Sequence, residues 1–185
     1  NAYKCNIDKA KALLAEAGYP NGFTTTLTTM SLWNLPLPAQ MIVEQLKKVG
    51  INVKLNIVER AQFFVLQDGW GSEGGMFLSC FSLPAGGGSQ IAANFAQNLG
   101  SAFGRTSILH PDDVDALITK AKNSSGEECE NYIKQAQVLI HNDYALCQPL
   151  VLTNSMNAVS KKVIDSNYGI DTSSSNTLYK AYLVD

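Results

Sequence analysis

Residues 6–58 read NIDKAKALLAEAGYPNGFTTTLTTMSLWNLPLPAQMIVEQLKKVGINVKLNIV, and this run decides the fold class. Asn6 is a good helix N-cap and Asp8 suits the positive end of the helix dipole. Ile7, Ala10, Leu13, Leu14 and Ala17 recur at helical spacing until Gly18, with Pro20 just beyond. Pro20-Asn21-Gly22 is a turn, and Phe23 to Thr29, rich in β-branched threonine, reads as a strand. Met30 to Pro38 reads as a loop carrying Trp33 and two prolines. Ala39, Ile42, Val43, Leu46 and Val49 then line one face of a second helix that Gly50 stops. Ile51, Val53, Leu55 and Ile57 alternate with Asn52, Lys54 and Asn56, the pattern of a half-buried strand. Strands separated by helices argue for an α/β layer with a largely parallel sheet, because a parallel pair needs such a crossover.

Working outward, a short helix is expected from about Ala61 to Gln67 and a strand from Met76 to Phe81. Gly86-Gly87-Gly88 marks a surface loop, and Gln90 to Leu99 has a weak helical pattern. His110-Pro111-Asp112-Asp113 opens a stronger helix, with proline placed at its first position and Val114, Leu117, Ile118 and Ala121 inward. After a turn at Ser124-Ser125-Gly126, a long amphipathic helix runs from Glu127 to about His141. Pro149 breaks the chain. Leu150 to Thr153, Ala158 to Val163 and Leu178 to Val184 read as strands, and Asp171 to Asn176 as a polar loop.

Composition narrows the function. The 185 residues are 45% hydrophobic and 16% charged, with a net charge of -2. That is a globular balance with enough apolar material for a core. No basic cluster invites nucleic acid. No apolar run approaches the roughly 20 residues that span a bilayer. The first residues have no basic, apolar and small-residue regions of a signal peptide, as expected for a mature or an excised product. Cys5, Cys80, Cys129 and Cys147 form no C-x-x-C pair, so zinc and thioredoxin chemistry lack support. Their even number permits disulfides without requiring them. Cys80, in an apolar stretch, is expected to be buried. His110 and His141 lack metal-ligand spacing, no Gly-x-Ser-x-Gly elbow is present, and the glycine run lacks the Gly-Lys-Ser/Thr ending of a phosphate loop. No catalytic residue, metal site or cofactor is assigned.

Four segments in order resemble the family 5 extracellular solute-binding proteins, the dipeptide-, oligopeptide- and nickel-binding proteins of ABC importers. They are Asp8 to Phe23, which is close to a "KA-LL-EAGYP-GF" opening; Ala39 to Arg60; Gly69-Trp70-Gly71-Ser72-Glu73 with Phe77-Leu78; and Asp113 through Ile140 with Pro149-Leu150. The resemblance implies an α/β fold with a mixed, partly parallel sheet flanked by helices, one lobe of a two-lobed periplasmic-binding-protein-like (type II) fold. It implies a C-terminal ligand-binding lobe over residues 3–148, and a returning hinge strand and tail over 149–185 that pack on an N-terminal lobe of the same protein. It further implies an extracellular or periplasmic setting, anchorage as a lipoprotein, a peptide or similar small solute as ligand, and an ABC permease and ATPase as partners.

Trp70 and Glu73 are the leading site candidates. In peptide-binding relatives a Trp-x-x-Asp motif at this place supplies an aromatic wall and a carboxylate for the ligand's α-amino group, a charge-assisted hydrogen bond. Here the acid is one methylene longer, and Gly74-Gly75 replaces the usual Asp-Pro. A core tryptophan and a solvated glutamate are the plainer alternatives. Phe77 and Phe81 lie on the following strand, whose two faces divide between cleft and core. Ser31, Trp33 and Asn34 follow the C-terminal end of a strand, where ligands of open α/β sheets bind. Trp33 either forms an apolar wall there or caps the core. The reading is a binder. Its rivals are an α/β hydrolase-like enzyme, which needs a nucleophile and base held together, and a sensor or interaction module that does not transport.

Overall fold

The structure, a computed structural model, describes residues 5–67, 75–80, 95, 109–150, 160–164 and 182–183. The chain divides into two compact units, Asn1–Cys80 and Phe81–Asp185.

In the first unit the order is α1 (Ile7–Glu16), β1 (Thr24–Met30), α2 (Pro36–Lys47), β2 (Asn52–Val58), α3 (Arg60–Gln67) and β3 (Met76–Leu78). Asn6 caps α1 as expected, its side chain accepting from the Lys9 amide at 2.9 Å. The other end closes by a Schellman pair, Gly18 N–H to Ala15 O and Tyr19 N–H to Leu14 O, which needs the positive φ of 89° that Gly18 adopts. The same two bonds end α2, from Gly50 to Lys47 and from Ile51 to Leu46. None of the residues of α1 is buried, despite its apolar spacing.

β1 is the middle strand, parallel to β2 on one side and to β3 on the other. Being central, it is covered on both faces at its far end, where Leu27, Thr28, Thr29 and Met30 are all buried. Its threonines tolerate this because their hydroxyls are paired. Asn56 Nδ2 donates to Thr28 Oγ1 at 3.4 Å, and Thr29 Oγ1 donates to the Leu78 carbonyl at 3.0 Å. Met30, Leu35, Val58 and Phe63 form the core, with Leu66, Phe77 and Leu78 against them.

Two boundaries differ from the sequence reading. α2 begins at Pro36, inside the expected loop. Pro36 and Pro38 both fall in its first turn, where backbone N–H groups have no intrahelical partner, so neither proline costs a bond. β3 pairs over three residues only, and Cys80, two residues past its end, is exposed rather than buried.

In the second unit α4 (Asp112–Lys122) packs on α5 (Gly126–Val138), which continues into a π-helical turn, Leu139–Asp143. Pro111 is the N-cap of α4, one position earlier than expected, and the Val114 amide donates to Asp113 Oδ1 at 2.8 Å. Val114, Ile118, Ala136 and Ile140 make the core of this unit, with Phe95, Leu117, Leu139, Leu146 and Cys147 around it. β4 (Val163–Ile164) and β5 (Tyr182–Leu183) pair antiparallel. All four cysteines are free thiols. No helix among the described residues is long and apolar enough to cross a membrane.

Candidate functional site

The carboxyl ends of β1 and β2 lie side by side, since Met30 pairs with Val58 in register. The chain leaving each strand is joined to the other: Ser31 N–H donates to the Val58 carbonyl at 3.0 Å, and Ser31 Oγ donates to Glu59 Oε1 at 3.2 Å. Trp33 and Asn34 follow in left-handed backbone, φ 53° and 58°. Such a conformation is unusual away from glycine and recurs at ligand sites. Here it turns the chain from β1 into α2 and leaves Trp33 58% exposed. The tryptophan therefore does not cap the core.

Glu59 and Arg60 open α3 at the same edge. The Arg60 guanidinium carbon lies over the Trp33 ring, 5.8 Å from its centroid, and over the Phe64 ring at 5.6 Å. Phe64 is 47% exposed, whereas its neighbour Phe63 is buried. Phe63 meets Phe64 edge-on at 6.0 Å and Phe77 at 5.9 Å. The ring of Phe77 thus packs against the core beneath the rim. The result is an exposed aromatic and charged rim, made of Ser31, Trp33, Glu59, Arg60 and Phe64, over a packed apolar floor.

Of the residues named from sequence, Ser31, Trp33 and Asn34 come together at this rim, and Phe77 lies below it. Trp70, Glu73 and Phe81 fall outside the described residues. Glu59, Arg60 and Phe64 were not named from sequence. Their signal was position: an acid-base pair directly after an alternating strand, then an aromatic one helical turn on. His110 and His141 belong to the second unit, each ring nitrogen Nδ1 against a backbone carbonyl, of Phe95 at 3.3 Å and of Cys147 at 3.0 Å. Among the described residues no group of His, Cys, Asp and Glu has metal-binding arrangement.

Residues 1–97 match the family model described as bacterial extracellular solute-binding proteins, family 5 Middle. The chain belongs to this family. Among curated relatives it is 31% identical over 159 residues to heme-binding protein A of Haemophilus influenzae, a match covering 76% of this chain and 26% of that protein. It is likewise 31% identical over 162 residues to the glutathione-binding protein GsiB of Escherichia coli K12, covering 84% of this chain and 31% of that one. Among solved structures, the periplasmic binding protein DppA of Helicobacter pylori in complex with the peptide STSA matches with a TM-score of 0.73 and 28% identity, over 99% of this chain and 35% of DppA. HbpA2 of Haemophilus parasuis matches at 0.64 with 27% identity, over 76% of this chain and 28% of its own. The chain therefore spans about a third or less of these family members, and it has the fold of one lobe of a type II binding protein. The family is one of solute-binding proteins, and heme-binding protein A, GsiB and DppA are each named as binding proteins.

Proposed function

We propose that this chain is the C-terminal lobe of the substrate-binding component of an ABC importer, and that the whole protein captures peptides or a similar small solute outside the membrane. The observation that carries this reading is the exposed rim of Trp33, Arg60 and Phe64 at the carboxyl ends of parallel strands, the place where open α/β sheets bind ligands. Exposed rings on a packed apolar floor supply the apolar walls of a cleft, and a few polar groups beside them supply orientation. A single lobe gives one wall; closure on a second lobe encloses the ligand. The reading favours peptides because one relative holds a peptide and another is named for glutathione, itself a small peptide.

In this reading Trp70 adds a second aromatic wall and Glu73 a carboxylate for the ligand's amino group. Residues 3–148 form the ligand-binding lobe, while 149–185 return to the N-terminal lobe. Lipoprotein anchorage outside the membrane and delivery to a permease and ATPase complete it. The chain acts by binding and not by catalysis. The test is calorimetry on the full-length protein, freed of carried-over ligand by unfolding and refolding, against di- to tetrapeptides and glutathione. Saturable binding of at least one peptide class is expected. Binding of none overturns the peptide assignment.

A further inference from the structure

Among the described residues Arg60 has no countercharge of its own. Its side chain is exposed and lies over two rings, Trp33 and Phe64, both more than 40% exposed. The nearest acid in sequence, Glu59, is hydrogen-bonded by Ser31 Oγ, and among the described residues no ion pair joins Arg60 to a carboxylate. Rings engage the face of a guanidinium and leave its N–H edge unspent. They also limit its freedom, so less entropy is lost when a planar acceptor arrives. A carboxylate fits that edge in bidentate fashion, and the flanking rings lower the local dielectric around the pair.

We propose that Arg60, braced by Trp33 and Phe64, is the anchor for a carboxylate of the bound solute and sets a preference for carboxylate-bearing ligands. The inference rests on the binding role given above. A neighbouring acid sharpens it: Glu59 beside Arg60 offers an acceptor for a cationic group, so the rim suits a solute carrying both charges, as a peptide does.

The experiment uses the full-length protein and matched di- to tetrapeptides, each as the free acid and as the C-terminal amide. Wild-type protein is expected to bind the acid at least tenfold more tightly than the amide. Arg60→Gln is expected to bring that ratio to within about twofold by weakening the acid far more than the amide, and Arg60→Lys to fall between, because an ammonium keeps the charge and loses the fork. A thermal melt of each variant within experimental error of wild type verifies folding, as expected for an exposed side chain. A wild-type ratio near one, or a ratio that Arg60→Gln leaves intact, overturns the carboxylate anchor alone. Failure of the wild type to bind either form overturns the peptide-binding role and the anchor with it.

Discussion

The Thr29 hydroxyl donates to the Leu78 carbonyl oxygen at 3.0 Å, so a fully buried polar side chain of the central strand is tied to the short strand beside it. That bond helps hold β3 in place, and β3 carries Phe77 under the rim. Thr29→Val keeps the shape and removes the donor. It is expected to cost about 1–2 kcal/mol, since a part-buried acceptor loses its partner. Urea unfolding of this chain measures it, and an unchanged midpoint would show the bond to be inert.

Gly22 lies at the start of β1 with a φ of 73°, and a Cβ there would fall on the Gly50 carbonyl. Gly18, at φ 89°, has open space around the same position. Gly18→Ala therefore meets only the left-handed backbone penalty, about 1 kcal/mol. Gly22→Ala adds a clash with main chain and should cost ~3 kcal/mol or more. Comparing the two melting curves separates strain from collision.

Ile118 is completely buried between α4 and α5. Ile118→Ala should destabilise the second unit by roughly 2–5 kcal/mol, through lost transfer energy and the cavity left behind. Hydrogen exchange would locate the loss in α4 and α5, and uniform loss over both units would contradict their independent cores.

Burial raises the Cys147 thiol above its ordinary value of 9.0. The folded chain thus holds this proton more tightly than the unfolded chain. The stabilising contribution is complete below pH 9.0 and is lost as the pH climbs from there through the raised folded value. At pH 8 the exposed thiols of Cys5 and Cys80 should react with iodoacetamide well before Cys147. Peptide mass spectrometry over time reads the order directly, and equal rates would refute the burial argument.

In the full-length protein, Trp33→Ala and Trp70→Ala should each weaken solute binding roughly tenfold or more, about 1.4 kcal/mol, while Lys161→Ala leaves it unchanged. The isolated chain should bind the same solute weakly or not at all, because one wall does not enclose a ligand. Tight saturable binding by this chain alone would contradict the half-site.

The sequence by itself determined the elements of the first unit. Caps, glycine stops and apolar spacing are local, so Asn6, Gly18, Gly50 and the β2 alternation announce their roles without any partner. It also marked the loop at Ser31, Trp33 and Asn34, because a tryptophan between a strand and a helix is visible in one dimension. Only the tertiary structure decided what that tryptophan faces. The parallel register sets Met30 beside Val58, and this brings Ser31 to Glu59 and Trp33 to Arg60 across more than 25 positions of chain. A contact of that kind depends on strand order and pairing, which no local pattern encodes. The same holds for Thr28 and Thr29: their β-branched chemistry marks a strand, and they are buried because that strand is the middle one.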